Sequence, residues 1–175
     1  MKKQVLKEVL EWVLWLGGAV LLALFLNYHI IINSDVVSGS METTIMTDDR
    51  VIGFRTAYWF KDPKRGDIII FDHADGAESE KLLVKRIIGL PGDTVEIRGG
   101  KVYVNGEELI EDYLREPMNE SAPQFFEVPE GCYFVMGDNR NASLDSRYWG
   151  NPFIERSAIR ARAGFIYFPK IQKLK

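Results

Sequence analysis

Residues 82–90 read Leu-Leu-Val-Lys-Arg-Ile-Ile-Gly-Leu, a short apolar run with two basic residues at its centre. Alternate side chains of a β-strand point to opposite faces, so Lys85 would share one face with Leu83 and Ile87. Arg86 would then lie on the opposite face. A lysine on an apolar face is either an edge residue whose stem covers apolar surface or a desolvated base. The run therefore predicts a strand and leaves both interpretations of Lys85 open.

Similar short apolar runs, separated by turn residues, occupy much of the chain from residue 49 onward, and this pattern is typical of a mostly β domain. The pair Gly99-Gly100, with Asn105-Gly106 after the next run, predicts a hairpin with tight turns because glycine accepts positive φ. The candidate strands are Asp49–Phe54, Asp67–Phe71, Leu82–Leu90, Thr94–Arg98, Lys101–Val104, Gly131–Met136 and Ala163–Phe168.

Three further segments complete the outline of this domain. Asp72–Glu80 and Glu111–Gln124 are polar and acidic and contain proline or glycine, so we expect exposed loops there. Pro152–Arg160 is the one candidate for a short helix after the N-terminal region.

The N-terminal region is apolar without interruption from residue 12 to residue 26 and, after Asn27-Tyr28-His29, again at residues 30–32. The whole stretch 12–32 has 21 residues, and about 20 are enough to cross a bilayer. Three lysines lie within the first seven residues, and residues 8–49 contain no lysine or arginine. The positive-inside rule then predicts a cytoplasmic segment at 1–11, a transmembrane anchor at 12–32 and an extracytoplasmic domain at 33–175.

Two other interpretations of this stretch are weaker. A cleaved signal peptide would have a shorter apolar run that ends in a small-x-small pattern, whereas this run ends in Ile-Ile-Ile-Asn. A buried core helix is seldom as continuously apolar as residues 12–26.

Composition excludes several classes of function. The formal charge is −3 and no basic tract is present, so nothing indicates nucleic acid as a partner. A single cysteine, Cys132, excludes an intramolecular disulfide and is interpreted as a packing residue. His29 and His73 lie far apart and no HExxH spacing exists, so we predict neither a metal nor another cofactor.

A candidate nucleophile stands shortly after the apolar stretch, in Ser38-Gly39-Ser40. A serine hydroxyl needs a base to remove its proton. His29 lies in the apolar stretch and His73 in an acidic loop, so neither is well placed. Lys85 qualifies as the base if burial lowers its pKa toward the working pH.

Four segments, in this order behind one anchor, resemble the bacterial type I signal peptidases. They are Ser38-Gly39-Ser40-Met41, Arg65-Gly66-Asp67-Ile68-Ile69, Lys85-Arg86-Ile87-Ile88-Gly89-Leu90-Pro91-Gly92-Asp93, and Gly137-Asp138-Asn139-Arg140 through Ser143, Asp145, Ser146 and Arg147. The resemblance covers nearly the whole chain.

The resemblance implies a role for each candidate residue. Ser40 would be the nucleophile and neutral Lys85 the general base, in the Ser-Lys variant of triad logic. The Ser38 hydroxyl and the Ser40 backbone N–H would form the oxyanion hole. Ser143 would hydrogen-bond Lys85. Four charged residues would brace the site: Asp138, Arg140, Asp145 and Arg147.

The resemblance also implies a mostly antiparallel β-sheet catalytic domain behind one N-terminal transmembrane helix, acting as a monomer at the bacterial plasma membrane. Its expected partners are secretory preproteins and membrane lipid. The substrate would be an extended segment with small residues at the first and third positions before the cut, bound as an added strand.

One departure concerns the loop that carries Ser40. Relatives usually have proline where this chain has Thr43, and commonly where it has Val37. Because proline fixes φ, we expect a less rigid loop with its chemistry intact.

Two rival functions remain. A self-cleaving Ser-Lys protease would share the dyad without the anchor. A catalytically silent homologue would bind preproteins without cutting them. The aromatic groups Tyr58-Trp59-Phe60, Phe125-Phe126 and Tyr148-Trp149 are expected mostly in the core, with a subset able to rest on the outer leaflet.

Overall fold

The protein is described by a computed structural model, which covers residues 2–73 and 81–174. Helix α1 spans Lys2–Phe25 and continues as a π-helical turn over Leu26–Ile30. The 27-residue stretch Gln4–Ile30 is long and apolar enough to cross a membrane, and its apolar core is not buried against the rest of the protein. A helix that is apolar all round without a protein partner needs an apolar solvent.

The helical region ends earlier than the sequence predicts. The apolar stretch runs to Ile32, but Ile31 and Ile32 pair with Phe54 and Gly53 as the start of a strand. β-Branched isoleucine fits a pleated surface well, so an available partner strand captures these residues.

The remainder of the described chain is mostly antiparallel β-structure, as predicted. The strands are β1 Ile31–Asp35, β2 Arg50–Phe54, β3 Ile68–His73, β4 Lys81–Gly89, β5 Thr94–Arg98, β6 Lys101–Val104, β7 Glu107–Glu108, β8 Gln124–Glu127, β9 Cys132–Met136, β10 Phe153–Glu155, β11 Ile159–Phe168 and β12 Gln172–Lys173. The large sheet has the order β1-β2-β11-β3-β4-β9-β10, with β12 paired to β11. The small sheet has the order β7-β6-β5-β8.

The hairpin predicted at Gly99-Gly100 is confirmed. These two glycines join β5 to β6 with φ of 57° and 70°, and Arg98 pairs with Lys101 on either side of them. All seven candidate strands are present within a few residues of their predicted bounds.

The predicted helix at Pro152–Arg160 is wrong. Its residues form strand β10, a 3₁₀ turn at Arg156–Ala158 and the start of β11. Strand β9 offers a free edge to Phe153 and Ile154, and tertiary pairing of that kind overrides a weak local preference.

The predicted loops fare differently. Residues 111–123 form no regular helix or strand, but Gln124 begins β8. In the predicted loop Asp72–Glu80, Asp72 and His73 belong to β3, and residues 74–80 lie outside the described residues.

Strand β4 shows the predicted alternation. Leu83 and Ile87 pack into a cluster with Phe71, whereas Val84 packs into another with Ile70. Strand β4 pairs with β3 over residues 81–86, but with β9 only over residues 86–89. The first half of β4 therefore has one edge without a strand partner among the described residues.

Candidate active site

The candidate nucleophile lies on a short 3₁₀ turn, Gly39–Met41. Met41 and nearby Ile45 are fully buried and hold this turn against the core of the large sheet. Ser40 is 7% exposed and Lys85 is 3% exposed. The Lys85 Nζ lies 2.5 Å from the Ser40 Oγ, so the fold brings into contact two residues that are 45 positions apart.

The environment of Lys85 favours its neutral form. Burial lowers the pKa of Lys85 from 10.5 to about 8, and the positive charge of Arg147 acts in the same direction. The carboxylates of Asp145 and Asp138 oppose the shift only in part. Because an ammonium loses more solvation on burial than an amine, a neutral Nζ that can accept a proton becomes accessible close to neutral pH.

Ser38 supplies a second hydroxyl beside the first. Its Oγ lies 3.3 Å from the Ser40 Oγ, and Ser38 itself has an extended backbone and an exposed side chain. A hydroxyl in this position can donate to an oxygen atom bound near Ser40.

The loop after β9 is hydrogen-bonded to the turn that carries Ser40. The Asn139 backbone N–H donates to the Ser40 carbonyl oxygen over 3.0 Å, and its Nδ2 donates to the Gly39 carbonyl oxygen over 3.0 Å. Gly137 lies against the same turn, since a Cβ at this position would be 2.3 Å from the Ser40 carbonyl oxygen. The turn and the loop are therefore fixed to each other through the backbone.

Asp138 forms a buried ion pair with Arg86. Two parallel hydrogen bonds of 2.8 and 2.7 Å join the carboxylate to the guanidinium, whose side chains are 0% and 5% exposed. Thr44 donates its hydroxyl to the same carboxylate, and Arg86 also donates to the Gly66 carbonyl oxygen. This pair ties β4, the Ser40 loop and the β9 loop together directly beside the lysine.

Arg140 connects the β9 loop to the polar segment that follows β7. Its guanidinium binds both carboxylate oxygens of Glu111, at 2.7 and 2.5 Å, and donates to the Gly137 carbonyl oxygen. Tyr113 donates its hydroxyl to Glu111, and its ring lies 4.0 Å from the Arg86 guanidinium. The irregular segment after β7 thus contacts the side chains of Arg140 and Arg86 next to the dyad.

Asp145 and Arg147 form the third buried pair. The Arg147 Nε donates to Asp145 Oδ1 over 2.8 Å, and the Gly137 backbone N–H donates to Asp145 Oδ2 over 2.9 Å. Arg147 also donates to the Arg140 carbonyl oxygen. Both ends of the loop are in this way anchored to one carboxylate.

Ser143 differs from the expectation. Its Oγ is buried and has no hydrogen-bond partner in the described part of the chain, so the expected bond to Lys85 is not formed. The Lys85 Nζ is directed at the Ser40 Oγ instead, and the Ser143 hydroxyl packs against Gly137, where an added Cβ would meet it at 2.3 Å.

Three supporting residues received no role from the sequence. Asn139 and Arg86 lie inside the quoted motifs. The acidic and basic residues in those motifs are the signal that could have indicated a buried ion pair. Glu111 lies in a segment interpreted as an exposed loop, and nothing in its local pattern indicates a partner 29 residues away.

A cleft opens beside the dyad. Its walls are the residues around the nucleophile, Ser34–Ser38, Ser40, Met41 and Ile45, and the first half of β4, Leu82–Lys85. No group of three or more His, Cys, Asp or Glu side chains that could hold a metal ion occurs within residues 2–73 and 81–174.

Comparison with known proteins finds a matching family model, similar sequences and a similar solved structure. A family model described as "Signal peptidase, peptidase S26" matches residues 9–168. A probable signal peptidase I-2 from Synechocystis sp. is 40% identical over 86% of this chain and 69% of its own length. A signal peptidase I from Bacillus licheniformis is 37% identical over 93% and 90%, respectively. A crystal structure of a signal peptidase I from Enterococcus faecalis V583 aligns with a TM-score of 0.49 and 39% identity, covering 58% of this chain and 97% of that one.

Proposed function

The chain belongs to the signal peptidase family, peptidase S26, and is a serine peptidase, and on this premise we propose that Ser40 and Lys85 form the dyad with which it removes signal peptides from exported preproteins. The observation that carries the proposal is the 2.5 Å contact between Lys85 Nζ and Ser40 Oγ inside a buried site. A serine with such a base beside it has the arrangement that nucleophilic catalysis requires.

The mechanism follows from this contact. The neutral Nζ of Lys85 takes the proton of the Ser40 hydroxyl while Oγ attacks the carbonyl carbon of the scissile peptide. The resulting oxyanion accepts hydrogen bonds from the Ser40 backbone N–H and the Ser38 hydroxyl. Protonated Lys85 then gives its proton to the leaving amine. In the second half, Lys85 deprotonates a water molecule that hydrolyses the acyl-enzyme.

The buried ion pairs serve this mechanism as positioning groups. Asp138, Arg140, Asp145 and Arg147 hold the β9 loop, and Asn139 transmits this order to the turn of Ser40. We assign Ser143 a supporting role next to Gly137. Fixed geometry matters because small displacements of a nucleophile cost large factors in rate.

The lining of the cleft supports the proposed preference for small side chains. The substrate would lie as an extended strand between Asp35–Ser38 and the first half of β4, whose second edge has no strand partner among the described residues and could take up backbone hydrogen bonds from it. Val36, Met41 and Ile45 are buried and line this cleft, and we place the pockets for the substrate's side chains over them. Side chains at the first and third positions before the cut would point there, which fits a small-x-small site.

The topology brings the enzyme to its substrate. Helix α1 anchors the protein in the membrane, and we place residues 1–11 in the cytoplasm and the catalytic domain on the outer side of a bacterial plasma membrane. Only nine residues lie between Ile30 and Ser40. The site therefore stands close to the surface where an exported preprotein emerges. We propose that the enzyme acts as a monomer.

Incubation of the detergent-solubilised protein with a preprotein tests this proposal. The parent should cut at a small-x-small site, and Ser40→Ala and Lys85→Ala should both abolish cleavage. Ser157→Ala and Lys101→Ala, at exposed positions, are matched controls that should retain it. If the parent failed to cut at any pH between neutral and alkaline, the silent homologue would be favoured.

A further inference from the structure

The irregular segment between β7 and β8 lies against the β9 loop, which carries two of the buried arginines of the site. Several side-chain contacts join the two. They are the Glu111 carboxylate with the Arg140 guanidinium, the Asn119 backbone N–H with the Asn141 amide oxygen, the Asn141 amide nitrogen with the Pro117 carbonyl oxygen, and the Arg147 guanidinium with the Met118 sulfur. Of these four, only the first joins opposite charges. Glu111 therefore brings a charge from this segment into the active-site region.

The pair of Glu111 and Arg140 is buried. Their side chains are 8% and 1% exposed, and the guanidinium donates to both carboxylate oxygens, over 2.7 and 2.5 Å. The Tyr113 hydroxyl donates to the same carboxylate over 2.7 Å. Because a buried charge without a partner is strongly destabilising, each member of the pair depends on the other.

The charges around the dyad are balanced. Three buried arginines each pair with a buried carboxylate, namely Arg86 with Asp138, Arg147 with Asp145, and Arg140 with Glu111. Burial is the main influence on the pKa of Lys85 and lowers it. Asp145 and Asp138 raise this pKa, and Arg147 lowers it. A change in any one of the three pairs would upset this balance.

Arg140 is also attracted by the neighbouring pair. Burial lowers the pKa of Arg140, whereas Glu111 raises it through its hydrogen bonds and its charge, and the net change is upward. Tyr113 and Asp138 raise it as well. Without the Glu111 charge, the Arg140 guanidinium would be drawn toward the carboxylate that Arg86 now holds. One surplus positive charge would then be shared between the two arginines.

This surplus charge would act on the dyad in two ways. Arg86 directly follows Lys85 in β4, and a positive charge nearby disfavours the ammonium form of the lysine. A displaced Asp138 carboxylate would also weaken the hydrogen bond that it accepts from the Thr44 hydroxyl. Since Thr44 belongs to the loop that carries Ser40, the position of the nucleophile would be less well fixed.

We propose that Glu111 is a positioning residue of the active site: its carboxylate neutralises Arg140 and so keeps the charge beside Lys85 balanced. The inference rests on the catalytic dyad of the proposed function. Glu111 acts through Arg140 and has no contact with the dyad itself. Its loss should therefore change the rate and its pH dependence more than substrate binding.

Two variants that each remove one charge test the inference by the sign of their effects. The pH at which kcat/KM rises is measured on a short peptide in detergent. Glu111→Gln leaves Arg140 unpaired and should move this rise by about 1 pH unit toward lower pH. Arg140→Gln leaves Glu111 unpaired and should move it by about 1 pH unit toward higher pH. The double variant carries neither charge and should match the parent within about 0.3 pH unit.

The rates separate positioning from binding. On the plateau at high pH, Glu111→Gln should lower kcat about tenfold and change KM by less than about twofold. Glu111→Asp keeps the charge, so its rise in kcat/KM should occur at the same pH as in the parent. Glu108→Gln is the matched control, because it removes a carboxylate that is 42% exposed and pairs with Lys101 at the surface. It should change neither the pH of the rise nor kcat.

If Glu111→Gln did not fold, the shift toward higher pH in Arg140→Gln would still decide the question. Shifts of the same sign in the two single variants, or no shift in either, would overturn the inference.

Titration of the lysine itself separates this inference from the proposed function. The full chain is labelled with ¹³C at the lysine Cε atoms and placed in detergent micelles. The NMR signal of Lys85 is identified by its absence from Lys85→Met. Its titration midpoint should fall in Glu111→Gln and rise in Arg140→Gln.

The two failures are distinguishable by this titration. Shifted midpoints in a protein whose parent form cuts no preprotein would support the inference while the proposed function failed. Cleavage by the parent, with the Lys85 midpoint unchanged in both variants, would overturn the inference and leave the proposed function standing.

Discussion

The Cα of Gly137 faces the carbonyl oxygen of Ser40 so closely that any side chain would collide with it. An added Cβ would lie 2.3 Å from this oxygen and 2.3 Å from the Ser143 hydroxyl. Since the oxygen belongs to the backbone, the nucleophile turn itself would have to move. The glycine therefore sets the distance between the β9 loop and the turn of Ser40.

Replacing Gly137 with alanine should displace this turn. We expect Gly137→Ala to lower the free energy of unfolding by about 2 kcal/mol and kcat/KM by about 100-fold. Gly150→Ala is the control, because no atom lies within 4 Å of its added Cβ. Denaturant unfolding and peptide cleavage measure both effects. Full activity of Gly137→Ala would show that the close approach is unimportant.

The lowered pKa of Lys85 predicts how activity depends on pH. If the neutral amine is the base, kcat/KM rises with pH and levels off above about 8. The profile is measured on a short peptide in detergent between pH 5 and 10. A rate that stays flat from pH 5 to 9 would rule out this lysine as the base.

The same shift predicts a pH-dependent cost in stability. Between pH 8 and 10.5 the unfolded chain binds a proton at Lys85 that the folded chain does not, so stability rises with pH in this window. Below pH 8 the folded chain also carries the proton, so the destabilisation from burying charged Lys85 has its full value there. Lys85→Met should therefore stabilise the protein by about 3 kcal/mol at pH 7, because each pKa unit is worth about 1.4 kcal/mol.

This gain in the free energy of unfolding should shrink as the pH approaches 10.5. Because the other titrating groups are the same in both proteins, their effects cancel in the difference between Lys85→Met and the parent. The free energy of unfolding of both proteins is compared at pH 7 and 10. A gain that does not change with pH would assign the stabilisation to packing.

The buried pair of Asp138 and Arg86 should be costly to break. Asp138→Asn removes the negative charge that pairs with the buried Arg86 guanidinium, and such changes typically destabilise by about 3–5 kcal/mol. Glu96→Gln breaks the exposed pair with Arg98 and should cost less than about 1 kcal/mol. Thermal unfolding compares the two variants. Similar losses in both would mean that burial of the Asp138 pair has no special effect.

The side chain of Asn139 should affect turnover more than binding. Asn139→Ala removes the hydrogen bond to the Gly39 carbonyl oxygen but keeps the backbone bond to Ser40. We expect kcat to fall about tenfold with KM unchanged, because the turn is held less firmly during the reaction. Asn141→Ala, whose amide binds Glu116 and Pro117 at the surface, should change neither. A rise in KM alone would contradict a positioning role.

Thr43 bears on the rigidity of the Ser40 loop. Thr43→Pro should raise the free energy of unfolding by about 0.5–1 kcal/mol and increase activity, because the ring restricts the unfolded chain and stiffens the loop. Thr43→Ala separates loss of the threonine side chain from gain of the ring. Unchanged activity and thermal stability in Thr43→Pro would refute the idea.

Periodicity predicted the long strands well because each buries a regular face. The alternation around Lys85 was correct, and so was the hairpin at Gly99-Gly100. Two-residue strands such as β7 and β12 are too short to show a period. Pro152–Arg160 was mistaken for a helix because its strand pairing depends on β9, which local sequence does not specify.

The candidate site was harder to predict from local pattern. Nothing near Lys85 specifies a contact with Ser40 across 45 residues, and it was the resemblance of four ordered segments that joined them. The hydrogen-bond partner expected for Ser143 was wrong in the structure, since hydroxyl orientation depends on packing at the level of single atoms. Glu111 was missed because its partner lies in another part of the fold.

Lys85 and Arg86 are consecutive residues of β4, and their side chains point to opposite faces of the sheet. The register of pairing between β4 and β3 determines which of the two meets Ser40. Six residue pairs, from Ile68 with Arg86 to His73 with Lys81, fix this register. A slip by one residue would turn every side chain of β4 to the other face. Ser40 would then meet a guanidinium, which does not lose its proton at any physiological pH. A one-residue insertion or deletion that shifted this register would thus leave Ser40 without a base.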